Sequence, residues 1–315
     1  MLNLIRNEWM KIFKRPGTYV MIGLLVLFVV AMGGIYKYVE KDIPENLDWK
    51  QQLTTEIESD KQTLEEYGNQ MMDIEKLSYE KDIAINTYRI ENDLPENQGN
   101  SVWSFVEEAS TGVNLVGLFA IIVAAGIVAS EFSWGTIKLL LIRPISRFKI
   151  LLSKYITVLL FGSMLLVILF ALSALVGVVL FGGGSDVYLS YVEGEVIKES
   201  TIWFLMKQYL LGTIGVFMIT TMAFMISTLF KNSSIAIGIS IFTLLVGGTV
   251  TAILAVWFDW AKYILFANTD LTMYSQGILL REGMTLEFSL IVLAVYYIIF
   301  MLLAFIPFMK RDMGA

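Results

Sequence analysis

Six long apolar stretches constrain this sequence more than any other feature, because each is long enough to cross a lipid bilayer as a helix. Such a span needs about 20 mainly apolar residues, and none of the six has a charged residue in its central part. Hydrophobic residues make up 56% of the 315-residue chain, more than a soluble domain usually carries. We therefore expect an all-α integral membrane protein with six transmembrane helices, at residues 18–36, 111–130, 150–181, 206–229, 235–257 and 288–309.

Two amino acids are absent from the chain, and their absence excludes several kinds of chemistry. Without cysteine there is no disulfide, thiol nucleophile or cysteine-ligated metal, and without histidine the commonest general base and zinc ligand are missing. No glycine is followed by lysine, so the phosphate-binding pattern G-x-x-x-x-G-K-[ST] is absent. The carboxylates fit no calcium loop, and the net charge of −6 argues against a nucleic-acid partner. We expect no enzyme active site, metal site or bound cofactor in this chain.

Basic residues are concentrated in the short connections on one side of the expected spans. With the N-terminus inside, the cytoplasmic segments carry 12 of the 23 Lys and Arg residues but only three of the 29 Asp and Glu residues. Short loops rich in Lys and Arg mark the cytoplasmic side of a membrane protein. We therefore expect both termini in the cytoplasm, and the lack of cysteine fits a bacterial cytoplasmic membrane.

The first 15 residues have the pattern of an amphipathic helix that precedes the first span, together forming an N-terminal unit over residues 1–36. Apolar residues recur at helical spacing on one side, and the other side is polar and basic. Pro16-Gly17 then interrupts the helix. The segment is either a basic flank that only fixes the topology or an interface helix on the inner leaflet that touches a cytoplasmic partner. The candidate contact residues are Arg6, Trp9, Lys11 and Lys14.

A long acidic segment, residues 37–104, follows the first span on the opposite side of the membrane. From Leu53 its apolar positions follow a nearly heptad pattern. One straight helix over residues 48–92 would be about 67 Å long, and the remaining dozen residues could return at most about 40 Å. We expect an extracytoplasmic helical hairpin broken near Gly68-Asn69, or else a helix flat on the outer leaflet. The segment is either a lid or docking arm for an extracellular ligand, or a solvated stalk that makes dimer contacts.

The connection after the second span, residues 131–149, is more ordered in pattern than a plain linker. Thr136 to Ile142 can form a short apolar helix, which Pro144 ends. Ser146 is placed to cap the next span. A short amphipathic helix in a cytoplasmic loop needs a cover for its apolar face, and that cover is either the membrane interface or a partner protein.

The rest of the chain, residues 105–315, reads as a five-span transmembrane domain with one further notable connection. Residues 258–287 contain an apolar patch that is too short to cross the bilayer but could dip into the outer leaflet. Spans without central charge argue against a proton- or cation-coupled carrier, which keeps ionisable groups near the midplane. A pathway through such spans suits an apolar or amphipathic substrate, and uphill transport would need energy from another subunit.

This layout of six spans, inner termini and a patterned inner loop without a nucleotide site resembles the permease subunit of an ABC-2 type ATP-binding-cassette transporter. The opening amphipathic helix matches that family as well. The long acidic insertion after the first span departs from many family members, so its role cannot be carried over. The loop residues that carry the resemblance are Glu131, Gly135, Thr136, Pro144, Ser146, Arg147 and Lys154.

The resemblance implies a division of labour between proteins. Two permease chains pair as a homodimer or heterodimer, and two separate ATPase subunits, which hold ATP and Mg, dock on the cytoplasmic side. The loop after the second span would act as a coupling helix seated in the ATPase, and residues 258–287 resemble the re-entrant outer segment of the family. The residues matched to the coupling interface are Glu131, Gly135, Thr136, Lys138, Arg143, Pro144 and Arg147.

The expected function is therefore that of a permease subunit in an ATP-driven exporter. The family's substrates include peptide antibiotics, lipids and polysaccharides, and the apolar spans and outer arm favour an amphipathic peptide or lipid-like compound, as in antimicrobial peptide resistance. No residue is assigned to substrate binding. Two alternatives remain: a membrane-embedded sensor or scaffold with an extracytoplasmic ligand-binding arm, and an ion-coupled carrier.

Overall fold

A computed structural model describes residues 1–40, 49–71, 73–94, 101–137, 144–183, 187–192, 194–230, 232–276 and 283–310. Strands β1 (Val187–Val192) and β2 (Glu195–Ser200) lie between the helices α7 and α8, and a 3-10 turn (Asp259–Tyr263) follows α9. We call the end of the bundle that carries α1 the basic end, and the end that carries α3 and α4 the arm end. Along the described residues the helices are α1 (Leu2–Phe13), α2 (Pro16–Glu40), α3 (Trp49–Tyr67), α4 (Asp73–Glu91), α5 (Val102–Ala109), α6 (Gly112–Ser133), α7 (Arg147–Phe181), α8 (Thr201–Leu229), α9 (Ser233–Trp257), α10 (Leu265–Asn268), α11 (Met273–Gln276) and α12 (Leu286–Lys310).

Six helical stretches within the described residues are long and apolar enough to cross a membrane, which confirms the number of spans expected from the sequence. They are α2, α5 together with α6, α7, α8, α9 and α12. The outer surface of the bundle exposes large apolar side chains such as Leu27 and Phe242. The chain is therefore a multi-pass membrane protein. The second span begins at Val102 rather than at residue 111, because α5 continues the apolar helix toward the arm end.

Helices α6 and α8 form the centre of the bundle. They run in the same direction and approach closely because glycines lie at their contact. A Cβ atom added at Gly117 of α6 would lie 2.9 Å from the Ile219 side chain of α8. One at Gly212 of α8 would lie 3.3 Å from Val113 of α6. Most of the buried core residues of the described chain belong to these two helices and to α7.

The acidic insertion contains two helices that pack against each other. Helix α3 ends at Tyr67, and the backbone N–H of Gly68 bonds back to the carbonyl oxygen of Leu64 before α4 begins. An ion pair between Lys50 and Asp93 joins the start of α3 to the residues after α4, so the two helices are antiparallel. This arm contacts the β1–β2 hairpin through α4.

The two strands were not predicted from the sequence, from which we expect an all-α protein. β1 and β2 pair antiparallel with Val187 opposite Ser200, and Gly194 makes the turn with a φ of +90°. The signal was present, because β1 is rich in Val and Tyr, which favour strands. The hairpin is held to the bundle by Tyr188, whose ring stacks on Phe204 of α8 with centroids 3.6 Å apart.

The chain after α9 turns back into the bundle. The Phe266 ring packs on Gly247 of α9, where an added Cβ would lie 2.3 Å from the ring. Gly247 lies ten residues before the end of α9, which corresponds to about 15 Å along the helix axis. A buried Asn268 fastens this segment by donating to two carbonyl oxygens of its own turn and accepting from Ser289 of α12 at 2.6 Å. Of the apolar patch in this segment, Phe266 is therefore packed on α9, while Trp260 and Tyr263 remain exposed.

Candidate functional site

Buried charged side chains lie together at the basic end, where α1, α6 and α7 meet. Lys154 of α7 is 1% exposed, and its Nζ donates to Glu8 Oε2 of α1 at 2.7 Å and to Glu131 Oε1 of α6 at 3.2 Å. The same Nζ donates to the carbonyl oxygen of Ile127 at 3.3 Å. An ammonium group has three donors, so every donor of this buried cation has an acceptor, as burial of a charge requires.

Lys11 and Thr136 complete this group. Lys11 Nζ lies 2.9 Å from Glu8 Oε1 and 2.9 Å from Glu131 Oε1, and the Thr136 hydroxyl donates to Glu131 Oε2. Burial by itself lowers the pKa of Lys11, but the hydrogen bonds to Glu131 and Glu8 outweigh burial and raise it above its ordinary value. We call Glu8, Lys11, Glu131, Thr136 and Lys154 the charge cluster.

The charge cluster connects three separate segments of the chain through balanced charges. Two carboxylates face two ammonium groups, and each of α1, α6 and α7 contributes at least one of them. Removing one partner of a buried ion pair costs about 3–5 kcal/mol, because the remaining charge is left without compensation. Separating the three helices would have the same consequence. The cluster therefore favours movement of α1, α7 and the end of α6 as one unit.

The four residues predicted on the N-terminal helix have different surroundings in the structure. Lys11 belongs to the charge cluster, while Arg6 and Lys14 are exposed to solvent. Trp9 is half-buried, with its ring centroid 5.1 Å from that of Phe13. The buried positions of the helix are Glu8 and Ile12, so α1 rests on α7 with an acidic residue on its packed side.

The first residues of the loop after α6 form a defined turn. Gly135 has a φ of +72°, a region of the backbone that glycine adopts at low cost. The preceding Trp134 has the Arg15 guanidinium over its ring, 5.4 Å from the centroid. Glu131 and Thr136 are brought together across this turn, as their shared hydrogen bond shows. Three of the predicted coupling residues thus lie in one short segment next to α1.

The later loop residues lie at the start of α7. Pro144 is exposed, and Ser146 caps α7 by accepting a backbone N–H of the first turn at 3.4 Å. The guanidinium of Arg147 donates to the carbonyl oxygen of Met309 in α12 at 3.1 Å. The structure therefore places Arg147 against the last span rather than in the charge cluster. The predicted residues Lys138 and Arg143 lie outside the described residues, as does most of the predicted short helix from 136 to 142.

A cavity of about 330 Å³ opens beside the charge cluster. One wall comes from α1 and the other from the start of α7 with the residues before it. Glu8 and Lys11 belong to both the cavity and the cluster, Lys14 adds a second ammonium group, and Ile145 and Ile150 supply apolar surface. The cavity is therefore a recess with mixed charge and apolar character beside the loop.

Two members of the charge cluster were not predicted as site residues: the sequence analysis gives Glu8 no role and gives Lys154 only a place in the loop motif. A signal for both was available. Glu8 is the sole acidic residue among the first 15, and Lys154 is the sole charged residue between 150 and 181. Isolated charges beside apolar helices usually have a partner, and these two have opposite signs on the same expected side of the membrane.

Comparison with known proteins places the chain among membrane proteins without an assigned activity. A family model described as "Protein of unknown function (DUF2705)" matches residues 71–314. The chain is 50% identical over 318 residues to the uncharacterized protein YhcI of Bacillus subtilis (strain 168), covering 100% of both chains. It is 34% identical over 201 residues to the uncharacterized membrane protein YdbK of the same organism, covering 63% of this chain and 78% of YdbK.

Proposed function

The chain belongs to the DUF2705 family, and we propose that it is the transmembrane permease subunit of an ATP-driven exporter whose ATPase is a separate protein. The observation that carries this proposal is the charge cluster. It fastens the start of the loop after the second span to α1 and α7. A loop that only connects two spans needs no such buried contacts. A loop that transmits a movement from a partner protein to the spans does need them.

We place the basic end in the cytoplasm and the arm end outside, so that both termini are cytoplasmic. The support is the concentration of Lys and Arg in the short connections of the basic end. In this orientation the exposed side of α1, with Arg6 and Lys14, faces the cytoplasm together with the loop residues after Glu131. These surfaces are adjacent and form the proposed docking area for the ATPase.

The proposed mechanism follows from the buried charges. ATP-driven closure of two ATPase subunits displaces the loop at Gly135 and Thr136. Because separation of Glu131 from Lys154 and Lys11 would leave buried charges uncompensated, α1 and α7 follow the loop. The displacement thereby reaches one span, α7, directly and the centre of the bundle through α6. A second permease chain, identical or related, completes the transport pathway.

The substrate class that we propose is an amphipathic peptide or a lipid-like compound. The described spans present apolar, hydroxyl and small side chains rather than charges in their central parts. The segment after α9 packs back against α9 and α12 near the arm end, in a position to cap such a pathway. Charged small solutes would lack counter-charges along this route.

A membrane-embedded sensor is a second candidate, and one contact supports it. The arm contacts the β1–β2 hairpin, and Tyr188 of that hairpin donates to Glu107 of α5 at 3.2 Å. Helix α5 leads directly into α6 and so to Glu131. A ligand on the arm could therefore shift the charge cluster without crossing the membrane. ATP hydrolysis stimulated by such a ligand without its translocation would favour this candidate.

The decisive experiment is purification of the full chain from its native membrane in gentle detergent, with mass spectrometry of the proteins that accompany it. We expect a stoichiometric partner that carries G-x-x-x-x-G-K-[ST]. Glu131→Gln should reduce the amount of this partner, whereas Glu58→Gln on the exposed side of α3 should leave it unchanged. A chain that is reproducibly purified without any ATPase would contradict the permease function.

A further inference from the structure

The interior of α6 makes an unusual contact one turn before the charge cluster. The backbone N–H groups of Val128 and Ala129 both donate to Ser227 Oγ of α8, at 3.1 and 3.0 Å. In a regular α-helix these N–H groups bond to the carbonyl oxygens four residues earlier. Ser227 has no exposed surface, so water does not compete for its hydroxyl oxygen.

The neighbouring residue of α6 is engaged from the opposite side. The carbonyl oxygen of Ile127 accepts from Lys154 Nζ of α7 at 3.3 Å. Backbone groups of three consecutive residues, 127–129, are therefore bonded to side chains of two other helices. Helix α6 nevertheless runs without a break from Gly112 to Ser133. These contacts therefore tie the turn before Glu131 to α7 and α8 from two sides.

Helix α8 also reaches the segment that turns back into the bundle. A Cβ added at Gly215 would lie 2.2 Å from the carbonyl oxygen of Thr269. Gly215 and Ser227 are separated by 12 residues, or about 18 Å along the helix. One helix, α8, therefore contacts the turn of α6 before Glu131 near its basic end and the re-entering segment near its middle.

We propose that Ser227 is a positioning residue for the coupling loop. It ties the turn before Glu131 to α8, so that displacement of the loop also moves α8 and the segment packed on Gly215. The proposal rests on the permease function, and Ser227 acts through α6 rather than on nucleotide or substrate. Because a serine oxygen has two acceptor positions, one hydroxyl holds both backbone donors, and its removal releases α6 while the apolar packing remains.

The test compares Ser227→Ala with Ser240→Ala in the full chain purified with its ATPase. Ser240 is also fully buried in a span, but its hydroxyl donates to the carbonyl oxygen of Ala236 in its own helix at 2.7 Å. Spin labels on Val179→Cys and Trp203→Cys, which replace exposed residues near the arm-end termini of α7 and α8, report the separation of these helices. The chain has no cysteine of its own, so within this chain the labels attach only at these two positions, and the chain is labelled before the ATPase is added back.

On addition of ATP and Mg we expect the label separation to change in the unaltered sequence and in Ser240→Ala. The label distances report the populations of two states, one before and one after the response to nucleotide. In Ser227→Ala the ratio of these two populations should change about fivefold less on addition of ATP and Mg, which is the effect of losing one net hydrogen bond. Ser227→Thr, which keeps a hydroxyl, should restore the response. Amide exchange at Val128 and Ala129 should rise in Ser227→Ala alone, with the thermal unfolding temperature close to that of the control.

An equal nucleotide response in Ser227→Ala and Ser240→Ala would overturn the positioning role. So would unchanged amide exchange at Val128 and Ala129, because the contact would then not exist in the membrane protein. Failure of the permease function gives a different result, namely a purified chain without an ATPase. The amide-exchange measurement needs no ATPase, so it separates the two failures.

Discussion

The second span has a glutamate near each end, and the two are held in different ways. At the basic end, Glu131 lies within 3.2 Å of two ammonium groups that belong to α1 and α7. At the arm end, Glu107 accepts a hydrogen bond from the Tyr188 phenol at 3.2 Å. Burial raises the pKa of Tyr188, and the charge of Glu107 raises it further, so the phenol remains a protonated donor.

The difference indicates how each end responds to force. Separating buried opposite charges costs about 3–5 kcal/mol, whereas breaking one hydrogen bond between a carboxylate and a neutral donor costs about 1.5–3 kcal/mol. The basic end should therefore move as a rigid junction of α1, α6 and α7. The arm end can release or re-form its contact at lower cost, which suits a contact that opens as the bundle changes state.

The largest effect should come from Lys154→Met, which breaks the junction at the basic end. Among the described residues, Glu8 and Glu131 would keep the half-exposed Lys11 as their one remaining cationic partner. We expect a loss of stability of about 3–5 kcal/mol, seen as a lower thermal unfolding temperature in detergent. Lys61→Met on the exposed side of α3 is the control. Equal unfolding temperatures for the two variants would contradict the importance of the buried charges.

A smaller effect is expected from Gly135→Ala, which tests whether the backbone turn after Glu131 is part of the same junction. Alanine at a φ of +72° costs roughly 1–2 kcal/mol, so the turn should shift and the Thr136 contact to Glu131 should weaken. The measurement is the amount of ATPase that is purified with the chain. Gly34→Ala, in open space within α2, should leave that amount unchanged. If both variants retained the ATPase equally, the turn would have no part in docking.

Much of the fold could be predicted from the sequence, because hydrophobic length alone identifies membrane spans. Six apolar stretches became six long apolar helices among the described residues, and Pro16-Gly17, where the sequence predicts an interruption, begins α2 just after α1 ends at Phe13. The β1–β2 hairpin was missed because two strands of six residues give a weak local signal beside such strong helical ones.

The candidate site was predictable only in part, for a different physical reason. Glu131, Thr136 and Lys11 could be singled out by pattern and resemblance, but their mutual contact depends on tertiary packing. Lys11 and Glu131 are 120 residues apart in the chain. The contact of Ser227 with the α6 backbone has no sequence signature, because buried serines in spans usually bond to their own helix, as Ser240 does.

At the arm end, Tyr188→Phe sharpens the comparison by removing the hydrogen bond to Glu107 while keeping the ring stacked on Phe204. We expect a loss of about 1.5 kcal/mol, the lower end of the range for a hydrogen bond to a charged group, which is smaller than the loss in Lys154→Met. Thermal unfolding in detergent is the measurement, with Tyr38→Phe at an exposed position of α2 as control. A loss as large as that of Lys154→Met would remove the proposed contrast between the two ends.

The smallest effect should come from Lys11→Gln, because Lys11 is the cluster's half-exposed member and its side chain is 45% exposed. Ion pairs in contact with solvent contribute about 1 kcal/mol or less, so the unfolding temperature should fall slightly, and less in high salt. The folded-state pKa of Lys11 is raised, so its contribution is complete below the ordinary value of 10.5 and is lost only as the pH rises through the raised pKa. Lys14→Gln, one turn further along α1, is the matched control. The unfolding temperatures of Lys11→Gln and of the unaltered protein are compared across this pH range. If they became equal already near neutral pH, Lys11 would not be bonded to Glu8 and Glu131 in the folded protein.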